Sequence, residues 1–328
     1  MRKVVWFFLI PLALFSCKDK SCDSFPPIGS VDLELDFEDL TPYLNELKSK
    51  EEMKAFLDAS PVLKNYFFKA QEYPSEQQML DQTWEILSNP YIDSLYRDIR
   101  EIFDLSLLRT DLENAYKRIK YFYPDFEPPA VKTVYSGFGK DIYFTDSLLV
   151  IGLDYYLGPE ATLRPDEYEY LKVRLTPEHL VPQIVQFTSN KFNQTNLSQR
   201  TILDEMVFYG KAHQFSRQML PCTPDSLIIG YTAQQVANSE VSEGYLWSYF
   251  VQNALLYDKQ PLNIAKFIEE RPSIPEIDRQ CPGRIGQWLG WRIVQKYVDE
   301  TGVDFQTLMT KTEAREVLMQ SRYKPRTR

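Results

Sequence analysis

Apolar residues recur at helical spacing through 42–123, for instance at Leu95, Ile99, Ile102 and Phe103, then at Leu108, Leu112, Ala115 and Ile119. Side chains three and four apart share one face of a helix, so this half is expected to be helical. Ser60-Pro61, Tyr73-Pro74 and Asn89-Pro90 interrupt the pattern and divide it into four or five helices of ordinary length. No fixed period marks a repeat protein. Ahead of these helices, 31–37 alternates apolar and acidic residues, the two-residue period of a half-exposed strand.

After the Pro-rich stretch at 124–129, β-branched and aromatic runs replace the helical pattern, and 131–135, 142–144 and 148–153 read as three short strands. The segment 136–140 (SGFGK) reads as a hairpin connection between the first two. It lacks the further glycine and the Lys-Ser/Thr ending of a phosphate loop. From Thr176 the helical period returns and runs to the end. One helix is expected over 176–190, with Thr176 as N-cap and Pro177 in its first turn, and another over about 198–220. The expected fold is α+β and mostly helical, a small sheet embedded in helices. Its helical N-terminal part spans 31–128 and the part bearing the sheet 129–328, the two forming one compact unit.

Composition alters this picture chiefly at the N-terminus. Arg2 and Lys3 precede 12 apolar residues, 4–15, too few to span a bilayer. They end in Leu14-Phe15-Ser16-Cys17, a bacterial lipobox, so 1–16 is expected to be a cleaved signal peptide and Cys17 the lipidated first residue of the mature chain. Each buried CH₂ of its acyl chains adds about 0.8 kcal/mol, enough for a permanent tether without a transmembrane helix. Residues 17–30 then form that tether, and the protein faces the periplasm. Lys18 stands where some lipoproteins carry an inner-membrane-retaining aspartate, which favours the outer membrane. The formal charge of −9 deepens to −11 once Arg2 and Lys3 are removed, which disfavours nucleic acid as a partner.

With Cys17 consumed, Cys22, Cys222 and Cys281 remain in an oxidising compartment. Cys222 and Cys281 each sit beside proline, and the sequence leaves open a disulfide between them or free buried thiols. No CxxC or Cys/His cluster has zinc spacing, and no cofactor is implied. No Gly-x-Ser-x-Gly elbow occurs. Asp204 and Glu205 are adjacent and so do not form a paired acid and base on one helix face. Tyr245, Trp247, Tyr249 and Phe250, with Trp288 and Trp291, read as core aromatics, while Gly286 and Gly290 allow close helix approach. The basic Arg322, Lys324, Arg326 and Arg328 read as a disordered tail.

Four stretches, taken with the lipobox, carry a family resemblance over nearly the whole chain: DSLLVIGLDYYLG at 146–158, TILDEMVFYGKA at 201–212, PGRIGQWLGWRIV at 282–294 and SRYKP at 321–325. In these the chain resembles the gliding-motility lipoproteins of the GldB family of Bacteroidota. The resemblance implies a membrane-anchored protein whose partners are other envelope proteins of the gliding machinery.

That family is in turn similar to zincin-like, zinc-dependent peptidases with HExxH on one helix and a Glu-Gly pair on the next. Two histidines at i and i+4 bind zinc there, the glutamate activates water, and the second helix adds a third ligand. The resemblance puts those roles on Pro182, Gln183, Gln186 and Tyr209. None of these supplies the required donor or base, so a pseudopeptidase acting by contact is expected. The alternative is a divergent hydrolase with a relocated metal site, because the only two histidines fall on the same two helices. His179, Gln183 and Gln186 share one helix face, and Glu205, Tyr209 and His213 another, so His179, Glu205 and His213 are the candidate ligands.

Overall fold

The computed structural model describes residues 28–326. Its one sheet has four strands, β1 (Phe37–Asp39), β2 (Ala130–Val134), β3 (Ile142–Phe144) and β4 (Leu148–Gly152), in the order β1-β2-β4-β3. β1 and β4 flank β2 in parallel, with Phe37 opposite Val131 and Val131 opposite Leu149, while β3 closes the other edge antiparallel to β4. Leu149, Val150 and Ile151 are all buried, as expected of a strand covered on both faces.

Two local expectations are corrected. Residues 31–37 do alternate, with Leu33 and Leu35 buried and Asp32, Glu34 and Asp36 exposed, yet ladder pairing begins only at Phe37. β2 starts at Ala130 and so offers 31–35 no partner. Segment 136–140 is no hairpin turn, since β2 and β3 do not pair. The hairpin lies one step later, where Thr145 N–H donates to Leu148 O and Leu148 N–H to Thr145 Oγ1.

The N-terminal half forms α1 (Thr41–Glu46), α2 (Lys50–Ala59), α3 (Glu76–Leu87), α4 (Pro90–Ile102) and α5 (Leu105–Phe122). Ser49, Ser75, Asn89 and Asp104 accept first-turn N–H groups at four of the starts. The apolar stripe of α5 buries Leu108, Leu112, Ala115 and Ile119. These helices share one buried cluster with the sheet and with Leu180, Ile184, Phe215 and Met219.

The remainder is α6 (Glu169–Lys172), α7 (Pro177–Ser189), α8 (Ile202–Met219), α9 (Asp225–Ile229), α10 (Ala233–Val241), α11 (Glu243–Gln252), α12 (Pro261–Ile268), α13 (Ile285–Thr301), α14 (Phe305–Thr310) and α15 (Ala314–Ser321). A capping box between Thr201 and Asp204 starts α8. That helix spans both cores: Phe215 and Met219 join the first, and Ile202, Leu203, Met206 and Val207 join a second made with α12, α13 and α15. α8 and α13 cross in close contact because Gly210 faces Gly290; a methyl at Gly290 would overlap Met206 O. Gly286 likewise admits Phe267 and Ile268 of α12.

Two further expectations change here. The tail is tied down at Tyr323, which donates to Glu243 Oε1 at 2.7 Å, and Glu243 also pairs with Arg292 at 3.0 Å; Arg328 lies outside the described residues. Cys281 is a free, buried thiol, and Cys222 is disulfide-bonded to a cysteine other than Cys281. Of the two alternatives that the sequence left open for this pair, the 222–281 bond is therefore absent. Burial pushes the Cys281 thiol up to about 12, which keeps it protonated and inert. Among the described residues no helix is long and apolar enough to cross a membrane. Cys17 and the rest of the lipobox lie outside the described residues.

Candidate functional site

α7 and α8 pack together and leave a cleft beside them. It has two adjoining cavities of about 440 and 360 Å³, and Arg174, Gln183, Gln186 and Arg284 line both. Tyr209 opens on the smaller one and His179 on the larger. Three of the four positions to which the resemblance carried the peptidase roles, Gln183, Gln186 and Tyr209, therefore do share a cleft. Pro182 does not: it is buried inside α7, and His179, one turn before Gln183, opens on the cleft alongside the glutamines.

The side chains are set by their neighbours. Tyr156, fully buried, donates to Gln183 Oε1 at 3.0 Å. That contact assigns the amide and leaves the NH₂ group of Gln183 as its uncommitted donor. Thr176 does not cap α7 with its hydroxyl. It donates instead to Glu178 at 2.7 Å and lies 2.9 Å from His179 Nδ1. A hydroxyl has one proton, so His179 Nδ1–H donates to Thr176 and Nε2 carries the lone pair. Nε2 is buried and has no partner. Burial, then the charge of Arg174, lowers the His179 pKa to about 4, so the ring is neutral near pH 7.

Arg174 and Arg284 both contact one carboxylate oxygen, Glu270 Oε1, at 2.6 and 3.0 Å. Arg284 also donates to Gly230 O at 3.0 Å and lies over the Tyr231 ring. It takes a left-handed backbone, φ 59°, immediately before α13, a conformation that costs a non-glycine residue about 1 kcal/mol or more. Two guanidiniums facing one carboxylate leave this wall net positive.

Segment 136–140, misread as a hairpin, forms another wall through Gly139 and Lys140. Asp154 holds it: this fully buried carboxylate accepts N–H groups from Ser136 at 3.1 Å and Phe138 at 2.7 Å. Burial raises its pKa to about 6. Gly137 and Phe138 both take positive φ there.

The family model described as Gliding motility protein GldB matches residues 21–325. The chain belongs to the GldB family. No curated protein and no solved structure matches the chain.

In this GldB-family protein the relocated trio of His179, Glu205 and His213 is not assembled. His213 is fully buried; its Nε2 donates to Gln287 Oε1 at 3.2 Å, and Gln287 NH₂ donates onward to Ile268 O at 2.8 Å. Burial lowers its pKa to about 3. Glu205 pairs with Arg200 at 2.8 Å. Among the described residues no three His, Cys, Asp or Glu side chains gather to hold a metal ion. The carboxamides and phenol of Gln183, Gln186 and Tyr209 do not fit zinc either, which selects imidazole, thiolate and carboxylate donors. Sequence reasoning missed Arg174 and Glu270 altogether, and it gave no role to Asp154, although that residue lies within the 146–158 stretch that carries the family resemblance. Arg284 lay within a stretch that carries the family resemblance, but nothing in its spacing pairs it with an arginine 110 positions earlier.

Proposed function

We propose that this GldB-family protein is a lipid-anchored envelope component of the gliding apparatus that works by holding a partner segment in the α7–α8 cleft, without cutting it. One observation carries the reading: the cleft beside α7 and α8 is open and lined by Gln183, Gln186 and Tyr209, carboxamides and a phenol that supply neither a general base nor zinc ligands. The neighbouring sheet supports an extended partner. β3 is an edge strand, and Lys140 and Asp141, which lead into it, line the larger cavity. A partner strand can extend such an edge through backbone hydrogen bonds. Lipid on Cys17 holds the molecule on the periplasmic face of the outer membrane.

A photo-crosslinking residue at Gln186 in gliding cells tests this. Capture of one envelope protein, absent when the crosslinker sits at exposed Leu262, is expected. Peptide hydrolysis by the purified chain that chelators abolish would overturn the reading in favour of a peptidase.

A further inference from the structure

We propose that the cleft is a receptor for a single oxyanion, the C-terminal carboxylate of an extended polypeptide, with Arg174 and Arg284 as its counter-charges. This rests on the binding reading above and names the chemistry of what is bound.

The charge distribution singles out this place. The chain is acidic overall, at −9, yet the larger cavity is lined by Lys69, Lys140, Arg174 and Arg284 against Asp141 and Glu167, and the smaller one adds Glu269 and Glu270, the latter held by both arginines. Glu270 Oε1 receives one nitrogen of each arginine, and Arg284 directs one more to Gly230 O. Each guanidinium has five N–H donors in a planar fork, so both keep groups for a further carboxylate, the geometry arginine recognises best. One carboxylate would neutralise the wall. The net charge of −9 disfavours a polyanion.

A donor and an acceptor on α7 extend the match. The NH₂ group of Gln183 is available to an oxygen, while His179 Nε2 is a buried acceptor that lacks a hydrogen. An oxyanion alone cannot satisfy Nε2, whereas a peptide terminus brings an amide N–H within a few ångströms of its carboxylate. The second cavity, continuous through Arg174, Gln183, Gln186 and Arg284, leaves room for the residues before the terminus.

The chain has only two histidines, so full-length protein in detergent micelles, prepared without a histidine tag, gives two imidazole signals, assigned with His179→Gln. The probes are N-acetyl-tetraalanine with a free carboxylate, the same peptide as its C-terminal amide, and inorganic phosphate. The free acid is expected to move the His179 signal saturably, and the amide to bind roughly tenfold more weakly or not at all. Arg174→Gln should abolish the preference for acid over amide, and Arg174→Lys should restore part of it; thermal melts check that both fold. Glu270→Gln, which removes the internal rival carboxylate, should tighten acid binding several-fold, whereas a merely structural Glu270 would leave it unchanged or weaker. Equal binding of acid and amide, or no binding of either, overturns the proposal. Phosphate binding as well as the peptide acid overturns it too, in favour of a small-oxyanion site. If acid and amide bind alike while the Gln186 crosslink still forms, the carboxylate inference fails and the partner-holding function stands; selective acid binding without a crosslink gives the reverse.

Discussion

His213 shows how far the fold can move the chemistry of one side chain. An unfolded histidine titrates near 6.5, while burial holds His213 near 3 in the folded chain. Between those values the unfolded state binds the extra proton, so stability falls as pH drops below about 6.5 and the loss is complete near 3. Asp154 acts with the opposite sign: its folded pKa is raised to about 6, so its contribution is present below its unfolded value and lost as pH rises through 6. Urea unfolding from pH 7 to 4 should therefore show a shallower decline of stability on acidification in His213→Gln and a steeper one in Asp154→Asn. An unchanged slope in His213→Gln would mean that the ring is not held neutral. Both histidines were legible in the sequence as belonging to two facing helices. Their separation was not, because i, i+4 spacing fixes a face of one helix and says nothing about which neighbour covers it. His179 came to the cleft and His213 to the core beside Trp291 and Gln287.

At the level of elements, the glycine at the α8–α13 crossing decides how near the two helices sit. A methyl at Gly290 would overlap backbone of Met206, which cannot rotate away. Gly290→Ala is therefore expected to destabilise the protein by about 3 kcal/mol or more through forced separation of the helices. Gly29→Ala, with nothing within 4 Å of its added carbon, should change stability by less than about 0.5 kcal/mol; denaturant melts of the two variants measure the contrast. Helices were the most readable elements. Prolines and capping residues at Ser49, Ser75 and Asn89 punctuate the chain locally, and local signals survive in any context. Three of the four strands were located to within a residue, while the first was expected at 31–37 and lies at Phe37–Asp39, and the pairing was not legible at all: β2 bonds β4 across 13 intervening residues, and β3 folds back onto β4. Assigning 136–140 to a hairpin assumed that neighbours in sequence are neighbours in the sheet, and the buried carboxylate of Asp154 decided otherwise.

For the whole molecule, attachment and cross-linking are the properties to test. Cys17→Ala should release the protein from the membrane fraction and impair gliding, as seen by fractionation and colony spreading; a membrane-bound variant would show that another segment anchors it. Thiol labelling tests the cysteine assignment. Cys281 should not react in the native protein, because it is buried; it should react after unfolding, and Cys281→Ser should remove that label. A thiol that labels in the native state would point to an unpaired cysteine elsewhere.

The sequence by itself determined the helical periods, the places where the backbone must break, the acidic charge and the family, since each depends on residue type and short-range spacing. Tertiary structure alone decided which distant side chains meet. Arg174 and Arg284 converge on Glu270, and Gly210 meets Gly290, because packing of two cores along α8 closes loops of tens of residues. The free energy that holds such contacts is distributed over buried surface from the whole chain, so no window of residues contains it.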